Sequence, residues 1–337
     1  MRTACPGRGM LDNSGRIIVG VDPHGDAAAP AALGASLAAG AGFALELFTP
    51  VYNSHISLAH FENREHLQRA REALVRRYLE RLEEIAAALG CGGPVGCHAA
   101  WDHPPEEALI RRVLERAADL LIVALPEGRE HGGRRLSSLQ WQLVRHCPSS
   151  LLLTRGRPWR DTPVIVAAVD PTGRHGRRED LDVRILRAAE RLAGDTGGTV
   201  HAFHAWQRRL RVLIGEREQA LAPDLPGIAV EQRHRDAVQS ALATAAAAPS
   251  RVSYVEGPPE EALPRYCRET AADVVVMGAI ARNPFGRIFI GSTAERVLDQ
   301  LPCDLLVVKP EGFRTPVSSE RWPREAATAP LLGVPGI

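Results

Sequence analysis

The chain has 337 residues, with 41 basic and 40 acidic side chains and a formal net charge of +1. This balance argues against nucleic acid or an anionic membrane surface as an obligate partner. No apolar run approaches the roughly 18 residues of a membrane-spanning helix, so a cytoplasmic location is expected. Six cysteines in so long a chain do not indicate a disulfide scaffold.

Strands and helices alternate along the first half of the chain. Short apolar runs bounded by turn residues predict strands that are buried on both faces. The predicted strands are Arg16–Val21, Ala44–Val51, Gly96–Ala100, Leu120–Leu125 and Ser150–Thr154. The predicted helices are Ala28–Ala41, His60–Leu89, Pro104–Ala117 and Ser138–His146. This alternation is typical of a doubly wound α/β domain with a parallel sheet.

The same order of elements begins again at Pro163. The predicted strands are Pro163–Val169, Thr199–Ala205, Arg251–Val255, Val274–Met277 and Leu305–Val308. The predicted helices are Asp180–Ala193, two pieces within Gln207–Ala246, Pro259–Thr270 and an amphipathic segment around Val297.

The repeat is also visible letter by letter. Pro-Pro-Glu-Glu-Ala-Leu occurs at 104–109 and 258–263, and Ala-Ala-Asp occurs at 117–119 and 271–273. Cys147 before a run of leucines is echoed by Cys303, at a slightly different offset. A period of about 150 residues is far too long for a solenoid. We therefore expect two tandem five-stranded domains at 14–156 and 161–310, followed by a loose tail at 311–337.

One loop in the second half has the composition of a phosphate site. The strand ends at Gly278, and nine residues, Arg282–Ile290, separate Ala281 from Gly291-Ser292. Backbone amides and a hydroxyl at a helix start can hold phosphate. Ser292 and Glu295 also form a capping box, which begins a helix without any ligand. A long loop in a compact domain is more often functional, which favours the ligand site.

This spacing resembles the universal stress protein family, in which Gly-x-x-Gly, nine residues and Gly-Ser/Thr hold the phosphates of ATP. The segments VVMG, GSTAERVL, WDHPPEEALI and CDLLVVKP also look like that family, and most like its tandem E-type members. The resemblance implies an adenine-nucleotide α-hydrolase-like fold with strand order 3-2-1-4-5 in each half, packed as an internal pseudo-dimer. Ala281 departs from the family's second glycine, and its methyl group narrows the approach of a phosphate.

The resemblance implies a site for a nucleotide, ATP or AMP with Mg²⁺, in the second half. Asp170 matches an acid beside the nucleoside, although Asp-Pro after a strand is also common turn chemistry. Trp206 matches a position lining the adenine pocket, where it either stacks on the base or packs in the core. The residues assigned to the site are Val169, Asp170, Ala205, Trp206, Met277, Gly278, Ala281, Arg282, Gly291, Ser292 and Thr293.

The first half carries a degenerate version of this site. Ala124 stands where the second half has Gly278, and Glu127, whose carboxylate repels phosphate, stands where it has Ala281. At most one nucleotide per chain is therefore expected.

The expected function is that of a stress-response binding module, without catalysis beyond slow ATP hydrolysis, as a monomer with an internal pseudo-dimer or as a homodimer. The alternative is a scaffold or carrier whose apolar loop 282–290 binds a protein partner or a lipid-like or nucleotide-sugar ligand. The chain contains no Gly-Lys-Ser/Thr and no Gly-x-Ser-x-Gly. Metal binding is poorly supported, because His201 and His204 point to opposite faces of one strand.

Overall fold

The computed structural model describes residues 15–22, 25, 27–57, 60–91, 93–125, 136–172, 179–207, 211–214, 217–220, 227–279, 297 and 300–320. Within these residues the alternation of strands and helices is that expected from the sequence, except in the segment that follows the second strand of the second half. No helix among them is long and apolar enough to cross a bilayer.

The first half contains five strands and four helices. They are β1 (Arg16–Gly20), α1 (Ala28–Ala41), β2 (Ala44–Val51), α2 (Arg64–Ala88), β3 (Val95–Trp101), α3 (Pro105–Arg116), β4 (Leu120–Ala124), α4 (Ser138–His146) and β5 (Ser150–Thr154). Helix ends follow local chemistry: the Asn63 side chain accepts the His66 N–H at the start of α2, and Pro105 occupies the first turn of α3.

The second half repeats this order with one addition. Its elements are β6 (Val164–Ala168), α5 (Glu179–Thr196), β7 (Thr199–Trp206), β8 (Arg211–Ile214), β9 (Arg217–Ala220), α6 (Gly227–Ala245), β10 (Arg251–Glu256), α7 (Pro259–Glu269), β11 (Val274–Gly278) and β12 (Asp304–Val308).

The helix predicted at the start of 207–246 is wrong. Strands β8 and β9 pair there as an antiparallel two-stranded sheet, separate from the main one. The segment is rich in Leu, Arg, Glu and Gln, which have high helix propensity. Two short runs separated by Gly215 and Glu216 were the hairpin signal that this propensity obscured.

The ten main strands form one sheet in the order β10-β7-β6-β11-β12-β5-β4-β1-β2-β3. Each half therefore has the expected order 3-2-1-4-5, with all of its strands parallel. The halves meet at β5 and β12, which pair antiparallel with Leu152 opposite Leu306. This junction relates the halves by an approximate two-fold axis through the sheet, as expected for an internal pseudo-dimer.

Two apolar clusters cover the two faces of the sheet, and each one spans both halves. One lies under α1, α2, α5 and α6, and joins Leu152 to Leu306 across the junction. The other lies under α3, α4 and α7, and includes Leu151 and Val307. Phe313, in the segment expected to be a tail, packs partly buried against the second cluster. The halves therefore share their cores.

The repeated Ala-Ala-Asp letters have a structural reason. Ala117 and Ala271 both adopt a left-handed conformation with φ of 48° just after a helix. The carboxylate of Asp119 then accepts the N–H of Arg16 at 2.9 Å, and that of Asp273 accepts the N–H of Val164 at 2.8 Å. Each aspartate thus ties the fourth strand of its half to the start of the first strand.

Cys147 and Cys303, in contrast, do not occupy equivalent positions in the two halves. Ser150 pairs with Leu120, and Asp304 pairs with Val274, so these two residues are equivalent in the repeat. Cys303 immediately precedes Asp304, and therefore does not correspond to Cys147.

Two basic residues cross the junction at equivalent positions. Arg155 follows β5 and donates from Nε to the Cys303 carbonyl at 3.1 Å, and from Nη2 to the Leu301 carbonyl. Lys309 follows β12 and donates in the opposite direction, to the Val144 carbonyl in the last turn of α4. Each cation lies near the carboxyl-terminal end of helical residues of the other half, where positive charge is favoured.

The same two residues show that the halves are not equivalent. Lys309 is the only lysine in the chain and is 4% exposed. Its ammonium lies 5.0 Å from the centre of the Phe313 ring. Burial lowers the pKa of Lys309 to about 8.

Arg155 instead has an acidic partner from the other half. The buried Asp304 accepts the Arg155 N–H at 2.7 Å and the Trp159 indole N–H at 2.8 Å. Burial raises the pKa of Asp304, although these hydrogen bonds oppose the shift.

Helices α1 and α5 meet near the two-fold axis, on the face of the sheet opposite to Arg155 and Lys309. A Cβ added to Gly40 would lie 2.1 Å from the backbone oxygen of Asp195, whereas one added to Gly194 would meet nothing within 4 Å. Gly40→Ala is therefore expected to push the halves apart and lower the free energy of unfolding by about 1–3 kcal/mol. Gly194→Ala is the control and leaves stability unchanged or raises it. Chemical unfolding measures both, and equal stabilities would contradict the close contact.

Lys309 generates a pH-dependent prediction. Its pKa is about 8 in the folded chain, against 10.5 for an ordinary lysine. The unfolded chain binds more protons between these values, so the free energy of unfolding rises with pH through the window, by roughly 3 kcal/mol. Lys309→Met is expected to abolish this rise, and other titrating groups cancel in the comparison. The single lysine Cε resonance reports the pKa directly, and a midpoint near that of a free lysine would refute the prediction.

Candidate functional site

Three strands of the second half end side by side. Strand β6 lies between β7 and β11, with Ala168 opposite Phe203 and Ala167 opposite Val276. All three run parallel, so their carboxyl ends share one edge of the sheet. The chain passes from β6 to β7 on one side and later to β11 on the other, which makes this edge a topological switch point. Ligands of open α/β sheets bind at such points.

Val169 and Asp170 continue from β6 at the centre of this edge. The Val169 N–H donates to the Phe203 carbonyl at 3.0 Å, which extends the ladder by one residue. The Asp170 N–H donates to the Asp182 carboxylate at 2.8 Å, and the Asp170 carboxylate accepts the Thr172 hydroxyl at 2.8 Å. These bonds are turn chemistry, and they hold a half-buried carboxylate at the strand end.

Trp206 and Ala205 lie at the end of β7. Trp206 is 5% exposed, and its ring centre lies 5.9 Å from that of His234 in α6. This burial favours the packing role over stacking on a base. Ala205 is half-buried at the same edge. The residues of β6 and β7 assigned from the sequence are therefore adjacent in space.

A buried pair of histidines lies beneath these residues. His204 Nδ1 is 2.9 Å from the Val169 carbonyl oxygen, and His204 Nε2 is 2.7 Å from His234 Nδ1. Both side chains are at most 3% exposed. A carbonyl only accepts, so when both rings are neutral His204 carries its proton on Nδ1 and its Nε2 accepts the proton of His234. Sequence reasoning missed this pair because its members are 30 residues apart and share no motif.

Gly278 ends β11 for a steric reason. A Cβ at this position would lie 2.6 Å from the Leu181 side chain of α5. The glycine therefore lets α5 approach the sheet, in addition to any role near a ligand. Met277, the preceding residue, is half-buried. Ala279 continues the ladder through a 2.9 Å bond to the Val308 carbonyl.

Five of the predicted site residues lie outside the described residues. They are Ala281, Arg282, Gly291, Ser292 and Thr293. The chain enters this stretch from the buried Ala279 and leaves it at the buried Val297. The predicted phosphate part of the site therefore stays a prediction, and the structure describes only the ends of β6, β7 and β11 beside it.

The equivalent edge of the first half differs. Asp22, which corresponds to Asp170, is exposed instead of half-buried. Ala124 ends β4 where Gly278 ends β11. Glu127 lies outside the described residues.

Metal ligands do not converge in the described part of the chain. No three His, Cys, Asp or Glu side chains there are placed to hold an ion. His201 contacts the Tyr266 hydroxyl on the α7 side of the sheet, whereas His204 contacts His234 on the α6 side. The expectation that the two histidines point to opposite faces is confirmed.

Comparisons with known proteins match both halves. The family model described as the universal stress protein family matches residues 13–155 and 164–309. The chain is 25% identical to universal stress protein E of Photorhabdus laumondii, over 82% of this chain and 89% of that protein. It is 25% identical to universal stress protein E of Escherichia coli strain K12, over 81% and 87%. A solved structure, a functionally unknown protein from Pseudomonas aeruginosa PAO1, has a TM-score of 0.64 and 25% identity, covering 88% of this chain and 92% of that one.

His204→Leu is expected to lower the free energy of unfolding by about 1–3 kcal/mol, because the buried Val169 carbonyl and His234 Nδ1 each lose a partner. His201→Leu is the control and costs less, since the Tyr266 hydroxyl keeps its bond from Ser253. Urea unfolding measures both losses. Nitrogen chemical shifts report the tautomer, and a proton on Nε2 instead of Nδ1 of His204 in the neutral form would contradict the assignment.

Proposed function

The chain belongs to the universal stress protein family, and from that premise we propose that its second half binds one nucleotide of the ATP or AMP type. The observation that carries the proposal is the convergence of Val169, Asp170 and Gly278 at the switch point of the sheet. The bound nucleotide acts as a signal or stabiliser in a stress response in the cytoplasm.

The strand ends support binding of the nucleoside. Asp170 presents a half-buried carboxylate beside the end of β6, within the reach of a ribose hydroxyl on a ligand in the crevice. Its position is fixed by backbone and side-chain bonds to Asp182 and Thr172. A preorganised acceptor loses little side-chain freedom when the ligand arrives.

The sequence of the loop supports binding of the phosphates. Gly291, Ser292 and Thr293 precede the buried Val297, at the start of a predicted helix where amides favour anions. Arg282 is available in sequence to pair with phosphate oxygens.

The first half supports the assignment of the site to one half. Its acid, Asp22, is exposed, and its loop carries Glu127 where the second half carries Ala281. A carboxylate disfavours a bound phosphate by like-charge repulsion. The expected stoichiometry is therefore one nucleotide per chain.

No described contact favours the alternative of a scaffold or carrier. That alternative depends on the apolar residues of 282–290, which lie outside the described residues. The sequence offers no motif for orienting an attacking water. We therefore propose that the nucleotide is a ligand and not a substrate.

The matched aspartates of the repeat test the proposal. Asp170→Asn is expected to weaken nucleotide binding about tenfold, or ~1.4 kcal/mol, because it removes the charge of the proposed ribose acceptor. Asp22→Asn, at the equivalent position, leaves affinity unchanged. Isothermal titration of the full chain with ATP and AMP, with and without Mg²⁺, gives affinity and stoichiometry.

Ala281→Gly is expected to tighten ATP binding in the same assay, since it removes the methyl group from the phosphate loop. Ser292→Ala is expected to weaken it. Equal effects of the two aspartate substitutions, two sites per chain, or no binding at millimolar nucleotide would contradict the proposal.

A further inference from the structure

The outer strands of the first half end in a group of aromatic side chains. Tyr52 follows β2, Trp101 ends β3, and His103 lies two residues beyond it. The Tyr52 and His103 rings stack with centres 4.2 Å apart and planes at 20°. The Tyr52 and Trp101 ring centres are 5.6 Å apart. We call Tyr52, Trp101, His103 and Arg71 the aromatic platform.

The platform is partly open to solvent. Tyr52 is 51% exposed and is the large apolar side chain that stands out as exposed among the described residues. A single exposed apolar residue needs no explanation. Here the Tyr52 ring stacks on His103 and is tilted by 53° against Trp101 instead of lying loose on the surface. An exposed ring held in this way is a surface on which another ring can stack.

Arg71 of α2 adds a cation to the platform. Its guanidinium carbon lies 5.1 Å from the centre of the Trp101 ring. Its Nε is buried and has no hydrogen-bond partner within the described residues. Arg71 as a whole is half-buried, so a ligand would meet the guanidinium at its two terminal Nη groups and not at the covered Nε.

The frame that holds the platform is rigid. The Asp102 N–H donates to the Val51 carbonyl at 3.1 Å, which joins the ends of β2 and β3. The Asp102 carboxylate accepts two bonds from Arg111, at 2.7 and 2.9 Å, and the His103 N–H at 2.8 Å. This pairing positions His103 and pairs the Asp102 carboxylate with a cation, while Arg71 contributes a positive charge to the platform.

The platform lies beside the first-half counterpart of the nucleotide-type edge, which is formed by the ends of β1, β2 and β4. It extends outward from β2 to β3, whereas the switch point lies between β1 and β4. It has no counterpart at the same place in the second half, where Gln207 and Gly257 follow β7 and β10.

We propose that the aromatic platform binds a small planar aromatic anion, whose ring stacks on Tyr52 and whose carboxylate or phosphate accepts hydrogen bonds from Arg71. The planar guanidinium suits such groups, because it presents several donors in one plane. An uncharged aromatic ligand stacks on Tyr52 but does not form an ion pair with Arg71. A non-aromatic anion pairs with Arg71 but has no ring to stack on Tyr52. Both features together define the ligand class.

The probe is 2-naphthoate, compared with the uncharged 2-naphthamide by isothermal titration of the full chain. Naphthoate is expected to bind at least tenfold more tightly than the amide. Tyr52→Ala and Arg71→Gln are each expected to weaken naphthoate at least tenfold, whereas Tyr52→Phe keeps the ring and retains binding. Arg77→Gln, an exposed arginine on the same helix, is the matched control and leaves affinity unchanged.

Tyr52 is exposed, so its replacement leaves the fold intact and keeps the test decisive even if Arg71→Gln destabilises the chain. AMP is expected not to displace naphthoate from the Tyr52-dependent site, because the one nucleotide per chain is assigned to the second half; displacement by AMP would contradict this separation of the two sites. Absence of naphthoate binding at millimolar concentration, equal affinity of the amide, or equal affinity of Tyr52→Ala overturns the proposal. Asp170→Asn tests the nucleotide site of the second half and Tyr52→Ala tests the platform of the first half, so either proposal can be refuted without the other.

Discussion

The antiparallel pairing of β5 with β12 is the interaction on which the rest of the structure depends. Each strand is the last of its half and would otherwise be an unpaired edge, with apolar side chains on both faces. Exposed edges of this kind recruit other chains. Pairing each edge with the other satisfies the backbone groups of both. It also joins two five-stranded sheets into one, so that the apolar clusters on both faces run without a break across the junction.

The junction determines which side chains meet across it. On one face Gly40 of α1 approaches the backbone of Asp195 in α5, an approach that any side chain at Gly40 would obstruct. On the other, Arg155 and Lys309 each reach backbone carbonyls of the opposite half. The two cations occupy equivalent positions, yet their chemistry differs: a guanidinium stays charged when buried, whereas burial lowers the pKa of the ammonium. The two-fold relation is therefore structural and does not extend to electrostatics.

The repeat separates what holds the fold from what binds ligands. Ala-Ala-Asp is kept in both halves because its left-handed alanine and its carboxylate fix the fourth strand against the first. The carboxyl edges have diverged. In the second half Asp170 is half-buried above a pair of buried histidines, and in the first half Asp22 is exposed and an aromatic platform stands at the outer strands. A doubled sheet supplies two such edges, which point in opposite directions because the halves pair antiparallel.

The strands of this protein and their order in the sheet could be predicted from its sequence alone. Apolar runs such as Leu151–Leu153 predicted the strands because a strand buried on both faces must be apolar throughout, and the resemblance of the chain to a known family predicted the strand order. The pairing of β5 with β12, the contact of Gly40 with Asp195 and the bond between His204 and His234 were decided only by the tertiary structure. The hairpin of β8 and β9 was missed because helix-forming residues obscured a short turn. The physical reason is common to these cases: periodicity along the chain reports which residues are buried, whereas the identity of the partner depends on segments that are distant in sequence and meet only in the folded chain.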